Sequence, residues 1–264
     1  MRYAMATRDT TWPPGTPCWI DIMAGDLERT KQFYAAVLGW DYTASDPAYG
    51  GYSNALVGGR LVAGMSPTMP GMEDAPHVWT VYLATDDIAA TAETALAGGA
   101  GSIVAPMQIG PFGWMGIWTD PTGASFGCWQ GLQHTGFQIT NEPGAPTWCD
   151  LTSTDPTTSK AFYTSVFGFG YTPIGMDGAD YDLFTVPGAE MPAGGLGADA
   201  SASRSVWSVC FESADVDASA RVVADSGGTV LREPWDFEFG RLVACAGPDG
   251  EEFSLITSRP EPNA

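Results

Sequence analysis

Residues 16–42 read TPCWIDIMAGDLERTKQFYAAVLGWDY, and residues 147–171 read TWCDLTSTDPTTSKAFYTSVFGFGY. The second stretch repeats the first at one constant spacing. It matches Trp19 with Trp148, Asp21 with Asp150, Asp26 with Asp155, Lys31 with Lys160, Phe33-Tyr34 with Phe162-Tyr163 and Gly39 with Gly168. A repeat of this length decides the architecture before any single element does: the chain is two copies of one unit.

Each copy reads as strand, cap, helix and stop. Along 18–22, Trp19 and Asp21 fall on one strand face while Ile20 and Ile22 fall on the other. Asp26 and Asp155 are N-caps whose carboxylates accept from free first-turn N–H groups, and Pro156 suits the first helical position. Phe33, Tyr34, Val37 and Leu38 form an apolar stripe at helical spacing, repeated by Phe162, Tyr163, Val166 and Phe167. Gly39 and Gly168 supply left-handed stops.

Working outward, 52–57 and 61–65 predict a hairpin across Gly58-Gly59, with a counterpart at 181–186 and from Met191 onward. A second unit follows, with a strand at 78–84, a cap at Asp86 or Asp87, a helix stopped by Gly98-Gly99, and a hairpin turning at Asp120-Pro121-Thr122-Gly123. Its relatives are the strand 206–211, the helix 215–226 and the hairpin turning at Gly247-Pro248-Asp249-Gly250. Four βαβββ modules therefore fill the chain. The division is an N-terminal tail (1–14), a first domain (15–130), a polar linker (131–144), a second domain (145–259) and a C-terminal tail (260–264). His134, in the linker, is expected to be solvent-exposed or to cap a turn, and His77 to sit in a turn.

The balance of 31 acidic against 11 basic residues, a net charge of −20, repels phosphate backbones and anionic membrane surfaces, so nucleic acid and membranes are not expected partners. The five cysteines are odd in number, scattered and without C-x-x-C spacing, which predicts small buried hydrophobes rather than disulfides or a zinc site. No apolar run has signal-peptide or bilayer-spanning length, and the expectation is a soluble cytoplasmic protein. No G-x-G-x-x-G, P-loop or G-x-S-x-G run follows a strand in the setting those motifs need, so the nucleotide-binding and serine-hydrolase readings lack support.

Paired βαβββ modules with FY…LGW or FY…FGF helices and D-P-x-G or P-D-G hairpins resemble the vicinal oxygen chelate superfamily of glyoxalases, bleomycin-resistance proteins and extradiol dioxygenases. The tandem P-x-W-x-D-[LI] openings are similar to its bacterial hydroxylase-labelled branch, some of whose members belong to polyketide tailoring. The resemblance implies an α+β fold of two tandem glyoxalase-like domains, in which paired modules curl into a cup around a divalent metal held by His, Gln or Glu. Carried over, the ligand positions fall on Trp19 and Trp148, Thr80 and Ser208, Gly127 and Ser254, and near Ala63 and Ala193. These do not make a metal site, and no metal or other cofactor is expected.

A tryptophan in place of a metal ligand turns a Lewis-acid site into an aromatic one. The candidate ligand-binding residues are Trp19, Tyr52, Thr80, Tyr82, Trp114 and Trp129 in the first half, and Trp148, Tyr181, Ser208 and Ser254 in the second. Trp79 and Trp207 alternate to the other face and are expected in the core. Asp21 and Asp150 share the tryptophans' face and are the candidate catalytic groups, as partly desolvated carboxylates able to transfer protons; tying down neighbouring backbone is their structural alternative. Lys31 and Lys160 are expected to be solvated or paired with local acids, and 110–116 to form a glycine-rich lip. Three readings stay open: a metal-free binder of a flat, largely apolar molecule such as an aromatic polyketide; a metal-free tailoring enzyme of secondary metabolism, alongside a partner oxygenase; and a metal-dependent lyase or dioxygenase with unorthodox ligands.

Overall fold

The computed structural model describes residues 6–175, 180–199 and 202–259, so the C-terminal tail 260–264 lies outside the described residues. In chain order the first half comprises β1 (Ala6–Thr7), β2 (Pro17–Ala24), α1 (Leu27–Leu38), β3 (Asp41–Tyr42), β4 (Ser53–Val57), β5 (Arg60–Pro67), β6 (Thr80–Ala84), α2 (Ile88–Ala97), β7 (Gly101–Ile109), β8 (Gly113–Thr119) and β9 (Ser125–Gly131). The linker carries β10 (Ile139–Thr140). The second half has β11 (Pro146–Ser153), α3 (Pro156–Phe167), β12 (Gly170–Pro173), β13 (Tyr181–Thr185), β14 (Gly194–Ala198), β15 (Val206–Glu212), α4 (Val216–Asp225), β16 (Thr229–Phe237), β17 (Gly240–Ala246) and β18 (Glu252–Ser258).

The helices start and stop where local chemistry dictates. Asp26, Asp87, Asp155 and Asp215 cap α1 to α4, each side chain accepting from first-turn N–H groups. Gly39 and Gly168 end α1 and α3 at φ of 70° and 71°, a left-handed conformation that costs other residues about 1 kcal/mol or more. The expected module is confirmed, its second strand being the short β3 or β12 just after the helix. The strand expected from residue 78 begins at Thr80.

The two modules of each half join edge to edge in one eight-stranded sheet, ordered β3-β4-β5-β2-β6-β9-β8-β7 in the first and β12-β13-β14-β11-β15-β18-β17-β16 in the second. The central joint is antiparallel: β2 meets β6 with Trp19 opposite Tyr82 and Asp21 opposite Thr80, and β11 meets β15 with Trp148 opposite Cys210 and Asp150 opposite Ser208. Alternation then separates two faces. Ile20, Ile22, Val81 and Leu83 are at most 1 % exposed on the helix-covered face. Trp79 and Trp207 lie there as expected, their indole N–H groups donating to Tyr34 and Tyr163 hydroxyls at 3.0 and 2.8 Å.

The halves share one core through this face. Phe211 packs edge-on against Trp40 and Trp79, and Phe126 against Phe162 and Tyr163. Each half's tight hairpin reaches the other half's first helix: Tyr34 donates to Glu251 at 3.0 Å, Asp249 accepts from the Gly25 N–H at 2.8 Å, and Thr122 meets Ser159 at 3.2 Å. Such cross-ties make independent unfolding of one half costly. All five cysteines are free and buried, as their scatter suggested.

One expectation changes. The linker is not a polar tether: β10 pairs with β1, Phe137 is 3 % exposed with its N–H on the Cys18 carbonyl at 2.7 Å, and the Gln138 N–H bonds the Leu61 carbonyl at 2.9 Å. Of the two alternatives for the repeated lysines the structure shows pairing with acids: Lys31, itself buried, has its Nζ 3.5 Å from Glu28 and 3.1 Å from Ser45 Oγ, and Lys160 pairs with Asp182. No helix among the described residues is long and apolar enough to cross a membrane.

Candidate functional site

The helix-free face of each sheet, here called its cup, carries the same three side chains. In the second half the Trp148 indole N–H is shared between Asp150 Oδ1 at 2.8 Å and the Tyr181 hydroxyl at 2.9 Å, and that hydroxyl donates to the same carboxylate oxygen. In the first half the Trp19 N–H donates to the Tyr52 hydroxyl at 2.9 Å, while Tyr52 and Tyr82 donate to Asp21 Oδ2 at 3.4 and 3.1 Å.

Each tyrosine reaches its aspartate across a glycine. Gly64 adjoins Asp21 and Gly195 adjoins Asp150 in the parallel pairings of β2 with β5 and β11 with β14. A Cβ at Gly64 would lie 1.7 Å from the Tyr52 hydroxyl oxygen, and one at Gly195 1.7 Å from that of Tyr181. Gly127 likewise leaves room for the Tyr82 ring, at 2.3 Å from where its Cβ would be. Gly64 and Gly195 were not singled out in the sequence, where the β5 and β14 positions fell near Ala63 and Ala193; register moves the cup position by one or two residues.

The carboxylates are held in an unfavourable solvent. Burial raises Asp21 to about 7, outweighing the tyrosine hydrogen bonds that favour its ionised form. Burial also raises Asp150, against hydrogen bonds from Tyr181 and Trp148. Tyr52, Tyr82 and Tyr181 are raised further by burial and by the adjacent carboxylate, so they stay protonated donors. Each cup thus offers an aromatic wall, a fixed phenol donor and one carboxyl group whose hold on its proton is strengthened by burial, in the first cup to about 7.

The cups differ in what fills them. In the first, Tyr82 is 3 % and Trp129 9 % exposed, and the linker lies on top. The His134 imidazole meets Trp19 edge to face at 4.3 Å between centroids and Trp129 at 5.4 Å, while Trp129 Nε1–H binds the His134 carbonyl at 2.8 Å. The histidine expected to be exposed or to cap a turn is half-buried and caps one, because the chain on its C-terminal side is bonded to β2 and β5 through Phe137 and Gln138. The Gly136 N–H donates to its Nδ1 at 3.2 Å, which assigns the remaining proton to Nε2, a buried donor with no partner among the described residues. Burial lowers this imidazole to about 4, so it is neutral at ordinary pH. Edge-to-face contacts contribute about 0.5–1.5 kcal/mol each, and an unsatisfied buried donor costs about 1–3 kcal/mol, so the imidazole is seated with little surplus.

In the second cup smaller side chains stand at the corresponding register positions. Cys210 faces Trp148 where Tyr82 faces Trp19, Ile256 replaces Trp129 and Leu242 replaces Met115. Trp148, Asp150, Tyr181, Ser208 and Ser254 keep partial solvent exposure. Thr80 borders Asp21, and Ser208 and Ser254 border Asp150 and Cys210, all on the cup face. Trp114 departs from its expected place: it pairs with Gln130 and alternates with Met115, on the face opposite Trp129.

A family model described as the Glyoxalase/Bleomycin resistance protein/Dioxygenase superfamily matches residues 18–127 and 145–255. The chain belongs to the glyoxalase superfamily. Among its relatives, CFP32 of Mycobacterium bovis, a glyoxylase by name, is 34 % identical over 94 % of this chain and 96 % of its own. The anthracycline biosynthesis protein DauV of Streptomyces sp. strain C5 is 32 % identical over 95 % of this chain and 96 % of its own. Among solved structures, the Mn(II)-bound glyoxalase of Novosphingobium aromaticivorans superposes with a TM-score of 0.63 at 16 % identity, over 92 % of this chain and 82 % of that one. The 2,2',3-trihydroxybiphenyl 1,2-dioxygenase of Sphingomonas wittichii gives 0.62 at 13 %, over 93 % and 91 %. At these identities the structures establish the fold alone.

The glyoxalase fold raises the question of a divalent metal. Among the described residues no group of three His, Cys, Asp or Glu converges. The cup positions carry Trp, Thr, Ser and Gly, and the one carboxylate per cup is already hydrogen-bonded to phenols. This donor set does not fit the metal sites of the fold. His77 does not supply the deficit, because its Nδ1 bonds the Met23 carbonyl at 2.9 Å and its Nε2 lies beside Gly25 and Asp249, away from the cup residues.

Proposed function

We propose that this glyoxalase-superfamily chain binds a flat, largely apolar aromatic small molecule, without a metal, in the cup of its second half. The observation that carries the reading is the Trp148–Asp150–Tyr181 cluster: an indole wall, a hydrogen-bonded carboxyl group and half-buried small residues around them where the fold's metal donors would stand. An aromatic ligand stacks on the indole, and Asp150 Oδ2, outside the hydrogen bonds that hold Oδ1, takes a ligand hydroxyl. Relatives named for anthracycline biosynthesis support a polycyclic aromatic metabolite and a role in secondary metabolism, since anthracyclines are flat fused-ring molecules.

Binding and turnover need the same cup, and the pKa of Asp150, raised by burial, favours one enzymatic variant of this reading. In it Asp150 accepts a proton from a ligand hydroxyl or acidic C–H and returns it, while Tyr181 and Trp148 stabilise the ionised carboxylate by their hydrogen bonds. Titration with a neutral dihydroxyanthraquinone tests both forms. Trp148→Ala weakens binding tenfold or more, since stacking and burial together exceed about 1.4 kcal/mol. Asp150→Asn costs less in binding, and abolishes turnover only if the carboxylate moves the proton. Unchanged affinity in a folded Trp148→Ala chain would refute the assignment.

A further inference from the structure

The first cup repeats the Trp–Asp–Tyr cluster of the second, yet its aromatic wall is already engaged, by a ring of the chain itself. His134 stands edge-on to Trp19 and Trp129, at 4.3 and 5.4 Å. That ring is small and flat, with one N–H buried and unpartnered among the described residues. We propose that the first cup is a second, cryptic binding site for a small flat heteroaromatic molecule, plugged in the resting chain by the linker, with His134 in the ligand's place.

The part of the linker that can let go is the His134 side chain, since the His134 N–H is tied to the Phe112 carbonyl at 3.1 Å and the His134 carbonyl to the Trp129 indole at 2.8 Å. Phe137 and Gln138 are tied to β2 and β5 by backbone hydrogen bonds of 2.7 and 2.9 Å, which fixes everything after Gly136. Gly136 itself has a φ of 99°, a conformation open to glycine and strained for other residues, and forms a joint directly beside the plug. A cleft of about 110 Å³, lined in part by Trp12, Thr135 and Trp129, adjoins it and gives the side chain room to turn. The imidazole leaves by breaking its one side-chain hydrogen bond, from the Gly136 N–H to Nδ1 at 3.2 Å, and none at Nε2, and an entering ring inherits the Trp19 and Trp129 walls with the carboxyl group of Asp21 nearby on the face of Trp19. The ligand class follows: a neutral one- or two-ring heteroarene, since a larger ring system meets Tyr82 and Trp129 where the second cup has Cys210 and Ile256.

The inference rests on the reading of these faces as ligand cups, and its test is separated from the second cup by a Trp148→Ala background. Benzimidazole is titrated by calorimetry against that background with His134, with His134→Gly, and with His134→Gly plus Trp19→Ala. The expected result is one site in the His134→Gly chain, at least tenfold tighter than with His134 present, and at least tenfold weakened again by Trp19→Ala. A folded His134→Gly chain that binds no tighter, or whose binding ignores Trp19, overturns the proposal. Should His134→Gly fail to fold, hydrogen exchange decides in the unmutated chain: saturating benzimidazole accelerates exchange of the Gly136 amide, and unchanged exchange overturns the proposal. Failure of dihydroxyanthraquinone to bind the second cup would sink the proposed function while leaving every one of these outcomes readable.

Discussion

Tyr181 crosses Gly195 to reach Asp150: a Cβ on Gly195 would stand 1.7 Å from the tyrosine hydroxyl oxygen and 2.3 Å from Asp150 Oδ1. Gly195→Ala therefore evicts the hydroxyl from the carboxylate rather than wrecking the sheet, because the clash is with the movable end of a side chain. The expected outcome is a folded protein in which Asp150, having lost a hydrogen bond to its ionised form, is raised further, with ligand affinity down about tenfold. Carboxyl-carbon NMR titration of Asp150, with binding measured in parallel, checks it; an unmoved Asp150 would show that Tyr181 does not set its environment.

Asp21 gives a pH dependence with a definite sign. Its folded value, about 7, lies above the unfolded value of about 3.8, so between these the folded state holds the extra proton. Its contribution to stability is most favourable below about pH 4, declines as pH rises towards 7 and is flat above. Asp21→Asn keeps an acceptor for Tyr52 and Tyr82 and removes the titration. The stability difference between variant and wild type, from urea midpoints at pH 4 to 8, is expected to shift steadily in favour of the variant. A constant difference would mean that Asp21 is not desolvated.

His134 acts with the opposite sign. Burial depresses it to about 4, below the unfolded value of about 6.5, so the unfolded chain binds the extra proton in that window. Stability from the neutral buried imidazole is full above about pH 6.5 and lost as pH falls through 4. His134→Gln is expected to flatten this slope, measured against wild type in a background of Asp21→Asn so that the two titrations do not overlap.

The tie between the halves is testable through Tyr34, whose hydroxyl receives the Trp79 N–H at 3.0 Å and donates to the fully buried Glu251 at 3.0 Å. Tyr34→Phe leaves two buried groups short of a partner, each costing about 1–3 kcal/mol. The expected loss is about 2–5 kcal/mol in a single cooperative transition followed by both far-ultraviolet and near-ultraviolet circular dichroism. Two separate transitions would contradict a shared core.

The elements and their faces were legible because the chemistry that sets them is local. Aspartate caps, glycine stops and the alternation that sends Trp79 and Trp207 away from Trp19 and Trp148 all lie within a few residues of what they control. Of the site, Trp19, Asp21, Trp148 and Asp150 were legible from alternation, and Tyr52, Tyr82 and Tyr181 as aromatic residues of the neighbouring strands. His134 was hidden because its burial is decided by distant bonds, from Phe137 to Cys18 and from β10 to β1, and a polar linker sequence carries no sign of them. Gly64 and Gly195 were hidden for another reason: a missing side chain becomes meaningful only once strand register sets it beside an aspartate. Trp114 was assigned to the cup by composition, whereas its pairing with Gln130 puts it on the other face.

The reading of the second cup as the ligand site stands or falls on one titration. Wild type, Trp19→Ala and Trp148→Ala chains, each shown to be folded by circular dichroism, are titrated with a neutral dihydroxyanthraquinone and followed by ligand absorbance. The account predicts one site in wild type, a tenfold or greater loss of affinity in Trp148→Ala, and nearly unchanged affinity in Trp19→Ala, where the linker already covers the ring. Equal affinities in wild type and Trp148→Ala would contradict it.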